Sequence, residues 1–232
     1  MLHVIEPIFD ADFEECSHGF RKERSVQTAL AQVVRLANQG YSWIVDLDIA
    51  SCFERINTAL LFKFIKGKLK DNELRRMVRA WLDIETVAVE RNGFLRKQEP
   101  RGILQGGILS PLFANIYLDR FDKMALKRGL KLVRYGDDIV ICCRSQEEAE
   151  ATLKLAQKLL AKLDLEINPR KTVIHHVEKG LRYLGEQLFL KKSGNREEIV
   201  VMPHPQQAKE HVALLPARRA LPEPTPWKYT DR

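Results

Sequence analysis

Two short, largely apolar segments in the middle of the sequence flank a pair of aspartates, and this pattern constrains the fold more than any other. Residues 130–135 and 139–143 lie on either side of Gly136-Asp137-Asp138. Apolar runs joined by a glycine and acidic residues predict a tight β-hairpin with carboxylates at its tip. Because aspartate is also common in solvated turns, the hairpin alone does not define a site.

A second predicted strand, residues 43–48, also ends in carboxylates. Its alternation places Ile44, Asp46 and Asp48 on one face, so that one of the two aspartates can lie beside the hairpin. Three converging carboxylates repel one another unless they are protonated or bind cations. Two divalent ions would resolve this repulsion and would suit phosphoryl transfer. Oxygen-only ligands favour Mg²⁺ or Mn²⁺ over zinc.

Two loops that lead into predicted helices suit anion binding. Gln105-Gly106-Gly107 precedes Ser110-Pro111, where we expect serine as the N-cap of a helix that runs to about Arg128. Its glycines let another backbone or a base pair approach closely, and the helix N-terminus favours anions. The second loop, residues 19–25, is basic and could hold a triphosphate. Taken alone, the first is typical of an ordinary connection, and a solvated charge cluster explains the second equally well.

The remaining pattern alternates helices and strands. Amphipathic helices are predicted over residues 24–39, 58–70, 72–85 and 146–163, and Gly40 is expected to end the first of them. Strands are predicted over 86–90 and 94–98 around an Asn92-Gly93 turn, and over 172–177 and 181–190. The last thirty residues hold six of the ten prolines, which favours irregular structure there. The order of elements predicts an α+β fold with a small antiparallel sheet packed on helices.

Composition narrows the possible partners. The net charge of +7 favours a polyanionic partner, though only weakly. The four cysteines show no CxxC spacing, and the adjacent His175 and His176 would point to opposite faces of a strand, so no disulfide framework or zinc site is predicted. No signal peptide is visible, and no apolar stretch approaches the length of about 18 residues that a membrane span needs. We therefore expect a cytoplasmic protein without a membrane partner.

Six segments, in this order, resemble the sequence blocks of reverse transcriptases of the bacterial group II intron type. They are GFRKERSVQTAL, VDLDIASCFERIN, RGILQGGILSPLFANIYLDRFD, LVRYGDDIVIC, LEINPRKTVI and LRYLG, and they span about residues 5–188. The resemblance implies a right-hand polymerase with fingers and palm. It also implies that the partners are an RNA template, a DNA or RNA primer, and dNTPs.

The resemblance assigns roles to individual residues. Asp48, Asp137 and Asp138 match the catalytic, metal-binding aspartates, and the carbonyl of Ile49 is expected to complete the shell of one of two Mg²⁺ or Mn²⁺ ions. Phe53 matches the aromatic gate that stacks under the sugar and excludes a 2′-hydroxyl, which implies dNTP use. The other residues expected at the dNTP are Arg21, Arg24, Gln105 and Lys171, the last beside the leaving pyrophosphate. Template or primer contacts are expected at Gly106, Gly107, Tyr135, Leu184 and Gly185.

The sequence also departs from the family pattern. Gly136 stands where alanine is usual, and Lys22-Glu23 replaces a more usual Pro-Gly in the fingers block. Family members normally carry fingers blocks before residue 5 and a full thumb after the last matching segment. We therefore expect residues 1–190 to form a fingers–palm core without the N-terminal fingers blocks, and residues 191–232 to begin a thumb or form an irregular tail. Either another protein or chain supplies the rest, or this chain is a remnant.

The function predicted from these residues is RNA-directed DNA polymerisation, in which a primer is extended with dNTPs by two-metal-ion phosphoryl transfer. A related setting is that of a CRISPR-associated reverse transcriptase, which works with an integrase to acquire spacers from RNA. The non-catalytic alternative is an RNA-binding or splicing module, a maturase that has kept the fold. The intact aspartates argue against this alternative, since RNA binding requires a basic surface but not three acids.

Overall fold

The structure of the protein is a computed structural model, and it describes residues 1–84, 86–89, 95–98, 102–193 and 196–203. The helices are α1 (Leu2–Asp10), α2 (Val26–Asn38), α3 (Cys52–Arg55), α4 (Thr58–Lys68), α5 (Asn72–Leu82), α6 (Ser110–Leu126) and α7 (Gln146–Ala161). The strands are β1 (Trp43–Leu47), β2 (Thr86–Val89), β3 (Leu95–Gln98), β4 (Lys131–Tyr135), β5 (Asp138–Cys143), β6 (Val173–His176), β7 (Leu181–Tyr183), β8 (Glu186–Ser193) and β9 (Arg196–Pro203). A short 3₁₀ helix covers Val177–Lys179.

A four-stranded sheet in the order β4-β5-β1-β6 forms the centre of the fold, and all of its neighbouring strands are antiparallel. In its register, Val45 lies opposite Ile141, and Tyr135 lies opposite Asp138. Strand β5 is an unbroken apolar run after Asp138 because both faces of the sheet are covered. The predicted α+β fold with a small antiparallel sheet is confirmed.

Two hydrophobic cores lie on opposite faces of this sheet. On one face, Val45, Leu47 and Ile141 belong to a large core that includes residues of α1 and α4–α7. On the other face, Ile44 and Val140 pack with residues of α2, β7 and β8. Because side chains alternate along β1, Asp46 lies on the same face of the sheet as Ile44, the face that packs against α2 and β7. The sequence predicted that these two residues share a face.

The boundaries of α2 follow from its local sequence. Ser25 caps its N-terminus in a capping box with Thr28. At the other end, Gly40 adopts a φ of +88°, and the N–H groups of Gly40 and Tyr41 donate to carbonyls of the last turn. This is the left-handed ending that favours glycine, so the predicted role of Gly40 in ending the helix is confirmed.

The structure corrects two local predictions. Ser110 is not the N-cap of α6, because Leu109 holds that position and the Ser110 hydroxyl instead donates to the carbonyl of Leu104. The strand predicted over 181–190 is divided at Leu184 and Gly185, which both have positive φ angles and turn the chain between β7 and β8.

Other differences concern the ends of the chain. Helix α1 and strand β9 were not predicted. Residue 190, where a domain boundary is expected, lies within β8, which pairs with β9, and that boundary stays a prediction. Strands β2 and β3 pair as predicted, whereas the Asn92-Gly93 turn and residues 204–232 lie outside the described residues. None of the described helices combines the length and apolarity that crossing a membrane requires.

Candidate active site

The hairpin turn between β4 and β5 consists of Gly136 and Asp137, because Tyr135 pairs with Asp138. Gly136 has a φ of +66°, whereas Asp137 is not among the residues with positive φ. A positive φ at the first turn position alone defines a type II′ turn, which matches the twist of the flanking strands. The turn places Asp137 at the tip of the hairpin and Asp138 at the start of β5, next to β1.

The main chain at Asp48 is held by a distant segment. Asn168 donates its N–H to the Asp48 carbonyl at 2.8 Å, and Ala50 donates to the Glu166 carbonyl at 2.9 Å. Because backbone groups alternate in direction along an extended chain, the carbonyl of Ile49 points away from residues 166–168 and towards the hairpin side. That direction is compatible with the role predicted for this carbonyl.

A pocket of about 350 Å³ brings many of the predicted residues together. Its lining includes Asp48, Ile49, Phe53, Gln105, Asp137 and Lys171. The ammonium group of Lys171 lies 3.5 Å from the Asp48 carboxylate, so a cation already sits beside one of the acids. The sequence therefore predicted residues that converge from four separate segments of the chain.

Burial and neighbouring carboxylates raise the pKa values of Asp46 and Asp138 at this end of the sheet. Burial, followed by the charges of Asp137 and Asp48, raises the pKa of Asp138, although the residue as a whole is exposed. Burial, followed by the charges of Asp138 and Asp48, raises the pKa of Asp46 to about 6. Ionised carboxylates in this region thus repel one another, and a nearby cation would relieve the repulsion.

The residues fit a divalent metal ion by their chemistry, since they offer carboxylate and carbonyl oxygens. They are not gathered around one point. Within the described ranges, no three side chains of His, Cys, Asp or Glu are grouped as ligands of a single ion. Binding of one Mg²⁺ or Mn²⁺ ion by all three aspartates would therefore have to draw their carboxylates closer together.

The loop before α6 completes one side of the pocket. Gln105 lines the pocket, and Gly106 follows with a φ of +81° and open space where a β-carbon would lie. A β-carbon at Gly107 would lie 2.7 Å from the hydroxyl oxygen of Ser110. Gly106 therefore leaves free space beside the loop, whereas Gly107 lets the loop pack closely against Ser110. Their predicted contact with a template base pair stays a prediction.

The two fingers arginines are engaged elsewhere. Arg21 donates to the Asp10 carboxylate at 2.7 Å and to the backbone carbonyls of Glu14 and Ser17. Arg24 pairs with Glu15 at 2.6 Å. Neither arginine is among the residues that line the pocket. Their contact with a triphosphate stays a prediction, and it would require these ion pairs to open.

The predicted primer-contacting turn lies next to the hairpin. The hydroxyl of Tyr183 donates to the carbonyl of Asp138 at 3.3 Å. This bond holds the turn at Leu184 and Gly185 close to the start of β5. Tyr135 is half-buried, and its ring centroid lies 6.1 Å from that of Phe20. The structure thus places these residues around the carboxylates, and their contacts with template or primer stay predictions.

Sequence reasoning missed Arg134, a fully buried side chain on β4. Its guanidinium donates to Asp122, Asn115, Ser17 and the carbonyl of Gly136. The signal was present, since a charged residue in the middle of a predicted apolar strand requires a buried partner. The periodicity of the sequence could not indicate which acidic residue of α6 would be the partner of Arg134.

The sheet, the hairpin and the pocket together have the arrangement of a polymerase palm. The family model described as "Reverse transcriptase (RNA-dependent DNA polymerase)" matches residues 1–188. The chain belongs to this reverse transcriptase family, which confirms the resemblance found in the six segments.

Individual relatives support the same assignment. Protein YkfC of Escherichia coli is 30% identical over 252 residues, which cover 92% of this chain and 65% of YkfC. The group II intron-encoded protein LtrA of Lactococcus lactis is 28% identical, over 82% of this chain and 42% of LtrA. Nuclear intron maturase 2 of Arabidopsis thaliana is 24% identical, over 81% of this chain and 36% of the maturase. The chain thus spans less than two thirds of the length of these relatives.

Solved structures confirm the right-hand polymerase fold. Telomerase from Candida albicans, in complex with a fragment of telomeric RNA, superposes with a TM-score of 0.61 at 14% identity, over 80% of this chain and 36% of the telomerase. Apo telomerase from Candida tropicalis gives a TM-score of 0.59 at 15% identity, over 81% of this chain and 38% of the telomerase. At these identities the likeness concerns the fold alone.

Proposed function

We propose that this chain is an RNA-directed DNA polymerase that extends a primer with dNTPs at the site formed by Asp48, Asp137 and Asp138. The observation that carries the proposal is the pocket in which two of these aspartates lie together with Phe53 and Gln105. In a member of the reverse transcriptase family, this combination suits a metal-dependent nucleotide site. The proposed partners are an RNA template, a DNA or RNA primer, and dNTPs.

In the proposed reaction, the 3′-hydroxyl of the primer gives its proton to solvent, and its oxygen forms a bond to the α-phosphorus of the dNTP. The bond from that phosphorus to the bridging oxygen breaks, and pyrophosphate leaves. Two Mg²⁺ ions, when bound, would lower the pKa of the attacking hydroxyl and neutralise charge on the pyrophosphate. Asp48, Asp137, Asp138 and the carbonyl of Ile49 would hold these ions.

The other residues of the pocket would act on the nucleotide itself. The half-buried ring of Phe53 would stack under the sugar and leave no room for a 2′-hydroxyl. Gln105 would contact the incoming nucleotide from the loop before α6. Lys171 would move from Asp48 to the leaving pyrophosphate, to which its ammonium group can donate a proton.

Primer extension on an RNA template with Mg²⁺ or Mn²⁺ tests the proposal. The variant Asp137→Asn Asp138→Asn keeps the size of both side chains but removes both charges, so extension should fall by at least about 10³-fold. Asp83→Asn is the matched control, because Asp83 is exposed at the end of α5 and lies outside the pocket. Equal extension by the double variant and the wild type would show that the chemistry lies elsewhere.

Binding of the metal can be tested without measuring activity. Millimolar Mg²⁺ or Mn²⁺ should raise the melting temperature of the wild type and of Asp83→Asn, because a ligand that binds only the folded state stabilises it. Asp137→Asn Asp138→Asn should show no such increase. An increase of the same size in all three proteins would indicate that the ions bind outside the proposed site.

A splicing or RNA-binding function is the second candidate, and the names of two relatives favour it. One is an intron-encoded protein, and the other is an intron maturase. Binding of an RNA template without any extension, in the wild type and the double variant alike, would favour this function. The CRISPR-associated setting and a partner that supplies thumb and further fingers stay predictions.

A further inference from the structure

The backbone of Gly102 lies directly against the short helix that carries Phe53. Gly102 has a φ of +65°, and a β-carbon at this position would lie 2.0 Å from the Phe53 carbonyl oxygen and 2.5 Å from the Glu54 carbonyl carbon. Both neighbours are main-chain atoms, so no change of rotamer can relieve such a contact. Any residue other than glycine would have to displace the backbone of α3.

A hydrogen bond fixes the same contact from the next residue. The N–H of Ile103 donates to the carbonyl of Phe53 at 2.8 Å, and the Ile103 side chain is buried. Two residues further on, Gln105 lines the pocket together with Phe53. The loop of residues 102–105 and helix α3 therefore form two walls of one pocket, and they are joined at Gly102.

Helix α3 depends on such external contacts for its position. It has only four residues, too few to be stable on its own. Its N-cap residue, Ser51, has a left-handed φ of +46° and makes no capping bond through its side chain. At its other end, Arg55 pairs with Glu166, in the segment that also holds Asp48. The position of α3, which carries Phe53, thus depends on tertiary contacts with residues 102–103 and with Glu166.

We propose that Gly102 is a positioning residue for sugar selection. Because Gly102 has no side chain, the loop can close onto the Phe53 carbonyl, and this contact fixes the width of the pocket between Phe53 and Gln105. This inference rests on the proposed function. A side chain at position 102 pushes α3 away from the loop and widens the pocket. The widened pocket admits a 2′-hydroxyl, so that discrimination against ribonucleotides falls.

The test compares Gly102→Ala with Gly129→Ala. Gly129 has a similar φ of +79° but no atom within 4 Å of the position of its β-carbon, and it follows α6 outside the pocket. Gly129→Ala thus introduces a similar backbone strain to Gly102→Ala but no steric clash with a neighbouring segment. The measured quantity is the ratio of kcat/KM for dATP to that for ATP. Gly102→Ala should lower this ratio by about tenfold or more, and Gly129→Ala should leave it within about twofold of the wild type.

A second pair of variants separates positioning from general damage to the fold. In the background Phe53→Val, the ring that is proposed to exclude a 2′-hydroxyl is already absent. Adding Gly102→Ala should therefore leave the ratio unchanged. A further fall in that background would show that Gly102 does not act through Phe53. An unchanged ratio in the single variant Gly102→Ala, with a native circular dichroism spectrum, would overturn the inference.

Two further measurements keep the test decisive. If Gly102→Ala does not fold, Arg55→Gln replaces it, because this change loosens α3 at its other end without a steric clash. An unchanged ratio in Arg55→Gln would then overturn the inference. If the wild type extends no primer, the proposed function fails, and calorimetric binding of dATP and ATP is measured instead. Equal affinity of the wild type for the two nucleotides would overturn the inference.

Discussion

The guanidinium of Arg134 donates to the carbonyl oxygen of Gly136 at 2.8 Å, so a fully buried charge on β4 holds the turn that carries Asp137. The same guanidinium forms a buried ion pair with Asp122 of α6, with a shortest distance of 2.6 Å. The candidate catalytic turn is thus held to α6, the longest of the described helices.

Removing only the positive partner of this pair should be strongly destabilising. Arg134→Met leaves the Asp122 carboxylate buried without its counter-charge, which should lower the free energy of unfolding by about 3–5 kcal/mol. The double variant Arg134→Met Asp122→Leu should recover most of this stability in urea denaturation. It should still extend primers poorly, because the Gly136 carbonyl has lost its donor. Full recovery of both stability and extension would show that Arg134 does not position the turn.

Gly136→Ala should destabilise the protein, although alanine is the residue that the family pattern favours at this position. A φ of +66° places an alanine in the left-handed region, and its β-carbon would lie 3.2 Å from the ring of Phe20. The backbone strain alone should cost about 1–2 kcal/mol, measured by thermal or urea denaturation. Gly67→Ala is the control, since Gly67 lies within α4 with free space around it and should gain stability. A neutral Gly136→Ala would indicate that the turn can change its conformation.

Asp46 should make the free protein less stable as the pH rises. Burial, and then the charges of Asp138 and Asp48, raises its pKa from 3.8 to about 6 in the folded state. Between these two values the folded protein binds more protons than the unfolded chain, so the free energy of unfolding falls as the pH rises. Without divalent ions, Asp46→Asn should therefore be more stable than the wild type by about 1–3 kcal/mol at pH 8. The difference should vanish near pH 4, and a difference that does not depend on pH would contradict this assignment.

Lys171→Gln should slow primer extension by about 10- to 100-fold, because it removes the ammonium group that lies 3.5 Å from Asp48 in the pocket. The loss should appear mainly in kcat if, as proposed, the group acts on the leaving pyrophosphate. Lys154→Gln provides the control, because Lys154 is exposed on α7 and lies outside the pocket. A change in KM for dNTP alone would assign Lys171 to nucleotide binding rather than to the chemical step.

The sequence predicted β1, β4 and β5 and their acids because the alternation of β1 and the apolar runs around the hairpin turn are strong local signals. Asp46 and Asp48 follow the alternation of β1, and Asp137 and Asp138 follow from a glycine between two apolar runs. The pocket residues Phe53, Gln105 and Lys171 came from the family resemblance instead, since nothing in their local patterns indicates that they converge. The structure places all three in one pocket.

Features that depend on distant partners could not be predicted. Helix α1 contains Pro7, which disfavours a helix, and it is stabilised by burial of Ile5 and Phe9. The ion pair of Arg21 involves Asp10 at the end of this unpredicted helix, so the arginine looked free in the sequence. The prolines near β9 favoured a prediction of irregular structure, although β9 pairs with β8 along its whole length.

The hydrogen bond between Asn168 and the Asp48 carbonyl joins residues that are 120 positions apart. A ribosome therefore completes β1 long before it makes the segment that fixes Asp48. Contacts of such long sequence separation form late because closing the intervening chain costs entropy. A nascent chain that ends before Asn168 cannot have this site in place, however well its first helices have folded. Assembly of the site is thus a late event in the biosynthesis of the protein.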